Sequence, residues 1–330
     1  MKKLLIKLIE CQKLTFEESR DLMHGIAHNE VNEAQIAAIL TAFIIRSISI
    51  EELRGFRQAL IELAVKVNLN DGYGIDLCGT GGDGKNTFNI STASSFVVAA
   101  AGYPVIKHGN YGATAISGSS NVMEHLGYRF SGDEGKLQKE LDRAGICFLH
   151  APLFHPALKA VGPTRKQLGV KTFFNILGPL VNPANPLYQF SGVYSTEAGR
   201  IYSYFLQAEN KKYIVLHSLD GYDEVSLTSP VRIFSRNGER VMDFAEYGLS
   251  KVKPADIAGG KDIRESAEIF ISVLENRASD GQHSAVVANS ALAISCIDET
   301  KSLEESIETA TYAIRSGKAA AVLKRLIEMQ

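Results

Sequence analysis

Asp76-Leu-Cys-Gly-Thr-Gly-Gly-Asp-Gly-Lys-Asn-Thr-Phe-Asn-Ile-Ser-Thr92 is the stretch that decides the fold. Residues 75–78 are a short apolar run that reads as a strand, and glycines follow it at 79, 81, 82 and 84. Ser91 and Thr92 then read as the cap of a helix over 92–101 that ends at Gly102. Glycines at such a junction let successive backbone N–H groups turn toward one anion, and the helix N-terminus adds partial positive charge. A plain strand-to-helix connection needs one or two glycines and has no use for Asp83, Asn89 and Ser91 together. No Gly-Lys-Thr closes the stretch and its spacing is not GxGxxG, so it is neither a Walker loop nor a dinucleotide fingerprint.

C-terminal to it, strand-like runs at 103–106, 146–149, 189–194 and 213–217 alternate with helical patterns. Asn237-Gly238 stands between 231–234 and 240–244, the signature of a tight hairpin, and from Asp262 onward the chain is helical. This alternation predicts an α/β fold, a mainly parallel sheet flanked by helices with the hairpin added antiparallel. N-terminal to the stretch, residues 1–68 hold no strand-like segment. Thr15 with Glu18, Asn32 with Gln35 and Ser49 with Glu52 have capping-box spacing. Ile36, Ile39, Leu40 and Phe43, then Leu53, Phe56, Leu60 and Ala64, recur at helical spacing and give apolar faces that need partners. The turn cluster Asn70-Asp71-Gly72 divides a small helical domain, 1–70, from a large α/β domain, 71–330.

Composition narrows the function classes. The 330 residues are 45% hydrophobic and 22% charged, and 35 Lys and Arg against 37 Asp and Glu leave a net charge of −2. That excludes the basic footprint of a general nucleic-acid binder. The apolar runs near 37–45 and 96–106 fall short of the about 18 residues a membrane span needs. Lys7 and Glu10 break the N-terminal apolar stretch too early for a signal peptide. Cys11, Cys78, Cys147 and Cys296 form no CxxC pair, so reduced thiols and a cytoplasmic location are expected.

The next strand ends in Lys107-His108-Gly109-Asn110, and a second small-residue helix start follows at Ser117-Gly-Ser-Ser-Asn121. Two such starts at the carboxyl ends of neighbouring strands face one crevice, a layout suited to a molecule with two separated phosphates. His108 beside the loop suits a positioned hydrogen bond as well as a catalytic role. His24 and His28 have metal-compatible spacing, but Gly25 weakens their helix and no third ligand is evident, so they read as surface histidines. Tyr202, Tyr204 and Phe205 read as a core aromatic cluster. Alone, Asp223-Glu224 would be a solvated turn and Arg165, near a helix start, a surface residue.

Six ordered motifs reverse those two readings. Gly-Thr-Gly-Gly-Asp at 79–83, Thr-Phe-Asn-Ile-Ser-Thr at 87–92 and Lys-His-Gly-Asn at 107–110 resemble the anthranilate phosphoribosyltransferase family. So do His-Pro-Ala-Leu-Lys-Ala-Val-Gly-Pro-Thr-Arg-Lys-Gln-Leu-Gly at 155–169, Phe-Asn-Ile-Leu-Gly-Pro-Leu-Val-Asn-Pro at 174–183 and Asp-Gly-Tyr-Asp-Glu at 220–224. The resemblance covers essentially the whole chain. It implies the nucleoside phosphorylase/phosphoribosyltransferase-like fold, in which the helical domain also recruits a later segment, here within 165–185. The implied reaction transfers the phosphoribosyl group of phosphoribosyl pyrophosphate to the amine of anthranilate in tryptophan biosynthesis, by a homodimer with Mg²⁺.

By the same resemblance, phosphoribosyl pyrophosphate falls on Gly79, Gly82, Asp83, Thr87, Asn89, Ile90, Ser91, Thr92, Lys107 and Ser119. Anthranilate falls on Gly79, Asn110 and Arg165, and magnesium on Ser91, Asp223 and Glu224. No general base is assigned. After Asn110 the family continues with Arg and a Ser/Thr-rich run, whereas this chain has Tyr111-Gly-Ala-Thr-Ala-Ile116, which removes a positive charge and at least one hydroxyl. Two rival readings are a pyrimidine nucleoside phosphorylase of the same architecture and a non-catalytic nucleic-acid-binding relative. Arg165 in its motif and the 220–224 motif favour the transferase over the first, and the near-neutral charge with an intact 79–83 motif disfavours the second.

Overall fold

The computed structural model describes residues 1–112 and 117–330. In chain order the first elements are α1 (Lys2–Ile9), α2 (Phe16–Ala27), α3 (Glu33–Arg46), α4 (Ile50–Glu62), β1 (Ile75–Leu77), α5 (Ile90–Ala100) and β2 (Val105–Gly109). Next come α6 (Ser119–His125), α7 (Glu134–Ala144), β3 (Ile146–His150), α8 (Ala151–Phe154), α9 (Leu158–Leu168), α10 (Phe174–Leu177) and β4 (Tyr188–Gly192). The chain finishes with α11 (Thr196–Ala208), β5 (Lys212–Ser218), β6 (Val231–Ser235), β7 (Gly238–Met242), α12 (Ile263–Leu274), α13 (Asp280–Ile297), α14 (Leu303–Arg315) and α15 (Lys318–Glu328). Two compact units result: Met1–Val67 with Ala151–Asn185, and Asn68–His150 with Pro186–Gln330.

In the first unit all three capping boxes close. The Thr15 hydroxyl accepts the Glu18 N–H at 3.1 Å and Glu18 accepts the Thr15 N–H at 2.9 Å, and Asn32/Gln35 and Ser49/Glu52 repeat the pattern. Each cap is worth about 1 kcal/mol. Ile36, Ile39, Leu40 and Phe43 on α3 and Leu53, Phe56 and Leu60 on α4 are buried. Their partner comes from the later segment: the Phe173 ring lies 4.9 Å from Phe43 and 4.6 Å from Phe56. Arg57 reaches the same segment, donating to the Leu180 carbonyl at 3.2 Å and to Asn185 at 3.0 Å. That segment starts at Ala151, earlier than the 165–185 stretch singled out from sequence. His28 is exposed, and His24 bonds Glu62 at 2.9 Å.

The second unit is built on one sheet of order β3-β2-β1-β4-β5-β6-β7, parallel from β3 to β5 and antiparallel across β6 and β7. The strand order reverses at β1, which has β2 on one side and β4 on the other. Outside the carboxyl ends of those strands lies the crevice where such sheets bind ligands. Helix α5 is buried along nearly its whole length, which its Ala, Ser and Val composition allows, and it packs on α13 and α15.

Three local expectations change. Helix α5 begins at Ile90 with Asn89 as its N-cap, so Ser91 and Thr92 lie in its first turn and cap nothing. The Asn89 amide instead donates to the Ser117 carbonyl at 3.1 Å. In the hairpin Ser235 pairs with Gly238, so the two-residue loop is Arg236-Asn237, and Gly238 (φ 109°) sits in the closing pair. Tyr202 and Phe205 are core residues, but Tyr204, two positions round α11, is 63% exposed. No helix among the described residues is long and apolar enough to cross a membrane.

Candidate active site

The glycine loop hangs from β1 and is tied to β4. The Cys78 N–H donates to the Phe190 carbonyl at 3.1 Å and the Thr80 N–H to the Gly192 carbonyl at 2.9 Å. Gly81 and Gly82 then turn at φ 61° and 74°, the left-handed region that costs a side-chain-bearing residue about 1–2 kcal/mol. The turn aims the Gly81 N–H at Asp223 Oδ2, 2.8 Å away. Asp83 accepts the Lys85 N–H at 2.9 Å. On the far side of the loop Thr87 bridges to Ala258, and the Gly259 N–H donates to the Asn86 carbonyl at 2.6 Å. The Thr80 and Thr92 hydroxyls and Asn89 Oδ1 are buried without a hydrogen-bond partner among the described residues. Such atoms cost free energy unless a ligand or water meets them. Ile90 is 1% exposed and its N–H donates to the Phe88 carbonyl, so it serves the core side of the helix start.

At the end of β2, Lys107 is 2% exposed and its ammonium donates to the Leu77 carbonyl beneath the loop. The His108 N–H donates to buried Asp76 at 3.0 Å. The Asn110 carbonyl accepts the Ser119 hydroxyl and the Ser120 N–H, both at 3.3 Å, joining the β2 end to α6. Tyr111 donates its hydroxyl to Glu124 at 2.8 Å and packs edge-on against His150, with 4.7 Å between the ring centroids. Positions 113–116 of the stretch that departs from the family lie outside the described residues.

Asp223 and Glu224 are not a solvated turn: they are 8% and 9% exposed. Asn289 on α13 clamps the next residue, accepting the Val225 N–H and donating to the Val225 carbonyl, both at 3.0 Å. The Ser218 hydroxyl donates to the Glu224 carbonyl at 2.6 Å. Burial foremost, and then the neighbouring Asp83 carboxylate, pushes Asp223 up to about 7 against the pull of the Gly81 N–H. Glu224 is raised well above the carboxylate range by burial and by Asp223, with Lys107 and the Ser91 N–H acting the other way. Burial and the neighbouring carboxylates thus disfavour the charged forms of Asp223 and Glu224. Among the described residues no three His, Cys, Asp or Glu side chains form a ready-made metal cage.

Sequence reasoning missed Gly192, Asn289 and the Lys85–Tyr222 contact, in which the ammonium sits 4.8 Å from the ring centroid. Asn289 carries no local signal, because its role depends on a loop 64 residues earlier. Gly79, Gly82, Asp83, Thr87, Asn89, Ile90, Ser91, Thr92, Lys107, Asn110, Ser119, Asp223 and Glu224 all belong to the second unit, and Arg165 belongs to the first. Arg165 stands in the last turn of α9, not near a helix start, with its guanidinium 5.5 Å from the Phe174 ring centroid. Burial pulls its pKa down from the usual arginine value.

A glycine cradle at a sheet's switch point, with a buried lysine and a buried carboxylate pair, defines a phosphate-handling α/β enzyme. Residues 72–320 match the α/β domain of a glycosyl transferase family, and residues 2–64 match the helical bundle domain of that family. The chain is 51% identical to the anthranilate phosphoribosyltransferase of Christiangramia forsetii, covering 99% of this chain and 98% of that one. It is 50% identical to that of Flavobacterium johnsoniae over 100% and 99% of the two chains. The crystal structure of the Thermus thermophilus enzyme superposes with a TM-score of 0.93 at 30% identity, covering 98% of each chain. The Saccharomyces cerevisiae enzyme in complex with PRPP and Mg gives 0.91 at 25% identity, covering 98% of this chain and 96% of that one. The chain belongs to the anthranilate phosphoribosyltransferase family. The phosphorylase and nucleic-acid-binding alternatives are set aside.

Proposed function

We propose that this enzyme transfers the phosphoribosyl group of phosphoribosyl pyrophosphate to the amine of anthranilate, giving N-(5-phosphoribosyl)anthranilate and pyrophosphate in tryptophan biosynthesis. The observation that carries this reading is the Gly81 N–H donated to Asp223, which joins the anion-binding loop after β1 to the carboxylate pair. Gly79, Gly82, Asp83, Thr87, Asn89, Ile90, Ser91, Thr92, Lys107 and Ser119 hold the donor, with Ile90 contributing backbone and core packing. The hydroxyls of Thr80 and Thr92 and Asn89 Oδ1 have no hydrogen-bond partner among the described residues and suit this role.

The donor set fits a hard cation. Ser91, Asp223 and Glu224 offer the oxygen ligands that Mg²⁺ takes, and that ion binds through one or two carboxylates together with substrate phosphates. When bound, the ion neutralises charge on the leaving pyrophosphate. Lys107 and the loop N–H groups supply the protein's share of that neutralisation. Gly79, Asn110 and Arg165 hold anthranilate, with Arg165 gripping its carboxylate. The amine nitrogen bonds to the anomeric carbon as the carbon–oxygen bond to pyrophosphate breaks and the amine gives up a proton. An aromatic amine is already unprotonated near neutral pH, so placement replaces a strong base.

The enzyme works as a homodimer in the cytoplasm on this reading. Exposed Ile6 and Ile9 on α1 and Ile44 and Ile45 on α3 give the apolar surface a subunit contact requires, and sedimentation measures the mass. The central test is the loss of anthranilate fluorescence on adding phosphoribosyl pyrophosphate and Mg²⁺. Phosphorolysis of thymidine or uridine with no consumption of anthranilate overturns the proposal.

A further inference from the structure

Asn121 joins two places in the chain that sequence alone does not connect. Its Oδ1 accepts the Gly112 N–H at 3.0 Å and the Gly118 N–H at 3.0 Å, one from each side of 113–116. The two glycines are themselves in contact, since a Cβ built on Gly118 would lie 2.1 Å from the Gly112 nitrogen. One side-chain oxygen thus holds Gly112 and Gly118 together. The residues on either side of Gly118 are tied outward. The Ser117 carbonyl accepts the Asn89 amide at 3.1 Å, and the Ser119 hydroxyl donates to the Asn110 carbonyl at 3.3 Å. A second tether lies one helical turn on, where Glu124 accepts the Tyr111 hydroxyl at 2.8 Å.

We infer that Asn121 is a positioning residue for the donor. By holding Gly112 and Gly118 together it fixes Ser117 and Ser119, and through Ser117 the side chain of Asn89, in the register that receives the diphosphate. Asn121 itself need not touch substrate. Its task is to meet in advance the ordering cost that two glycines would otherwise impose at binding. Asn110 directly follows β2 and its carbonyl also accepts the Ser120 N–H, so it does not depend on the clasp alone and the effect falls on the donor more than on anthranilate. This inference rests on the reading of Asn89 and Ser119 as donor residues.

Two variants test it on the full chain. Asn121→Leu removes the acceptor, whereas Asn121→Asp keeps an acceptor oxygen at a helical first-turn position where an acid is favoured. Amide hydrogen exchange of the free protein is expected to speed at least tenfold at Gly112 and Gly118 in Asn121→Leu and to stay near the parent's in Asn121→Asp. Steady-state kinetics are expected to show the phosphoribosyl pyrophosphate KM raised at least tenfold in Asn121→Leu, with the anthranilate KM within threefold and recovery in Asn121→Asp. Unchanged exchange in Asn121→Leu shows that no clasp exists. Faster exchange with an unchanged donor KM shows a clasp without this role. Loss of kcat and of both substrates' binding alike, in both variants, shows a general structural part and overturns the inference as well. A parent enzyme that does not consume phosphoribosyl pyrophosphate fails the functional reading instead, and the exchange experiment still decides whether the clasp is real.

Discussion

Gly192 ends β4 at the point where the carboxylate loop crosses it, and a Cβ there would lie 1.4 Å from the Asp223 carbonyl oxygen. Backbone, not a flexible side chain, occupies that space, so alanine must push the loop off the strand. Gly192→Ala is expected to lower turnover at least a hundredfold and to lower the melting temperature. Gly132→Ala, with nothing within 4 Å of its added carbon, is the control that leaves both unchanged. Arg165 belongs to the same scale. In the proposed role of a carboxylate clamp its removal takes away a charged hydrogen bond worth about 1.5–3 kcal/mol, so Arg165→Ala is expected to raise the anthranilate KM roughly ten- to a hundredfold and the donor KM far less. Asp223→Ala with Glu224→Ala is expected to shift the magnesium dependence instead. Equal effects of both variants on both substrates contradict the division of the site. Titrating each substrate at saturating levels of the other separates the outcomes.

Helices α2, α3 and α4 are held by buried or half-buried carboxylates. Glu52 is fully buried, accepts the Leu14 and Ser49 N–H groups and pairs with Arg46. Burial alone would raise its pKa, but Arg46 and those N–H groups outweigh it and hold Glu52 below its ordinary value. Glu52→Gln leaves Arg46, whose side chain is 9% exposed, with its charge uncompensated. The expected loss is about 3–5 kcal/mol in denaturant titration. Glu62 on α4 faces burial as well, yet Gln58, His24 and Arg20 together pull it from 4.5 down to about 2. A pKa depressed in the folded state contributes stability that is present above 4.5 and lost as pH falls toward 2. Glu62→Gln is therefore expected to melt earlier than the parent at pH 7 and to converge with it across that acid window, read by circular dichroism.

The capping boxes of these helices are legible in the sequence because both partners of each lie within four positions. The start of α5 departs from its sequence reading by two residues for the opposite reason. Asn89 commits its amide to Ser117, a residue 28 positions away, and no local pattern announces that choice. The burial of Asp223 and Glu224 is hidden likewise, since Gly192 and Asn289 enforce it from other elements. The motif resemblance supplies those two residues where spacing and composition point to a solvated turn.

The chain as a whole passes between its two compact units three times, after Val67, after His150 and after Asn185. The helical unit is consequently assembled from two segments separated by a long stretch of the other unit, Asn68–His150. If the α/β unit unfolds, that stretch becomes a flexible loop whose closure costs roughly 4 kcal/mol by the logarithmic law. The helical unit thus gains stability from an α/β unit that is already folded, while the reverse dependence is weaker because the helical segment returning to Pro186 is shorter. Unfolding is expected to depart from a single two-state transition, with the helical unit melting no later than the α/β unit. Phosphoribosyl pyrophosphate with Mg²⁺ at about a hundred times its dissociation constant adds about 2.7 kcal/mol to the unit that binds it. Since the residues proposed to hold the donor all belong to the α/β unit, the ligand is expected to move that unit's transition upward in scanning calorimetry. The helical unit's earlier transition should stay nearly in place, so the two should separate. A single transition that shifts as one body with donor alone would show that the two units fold as one cooperative block.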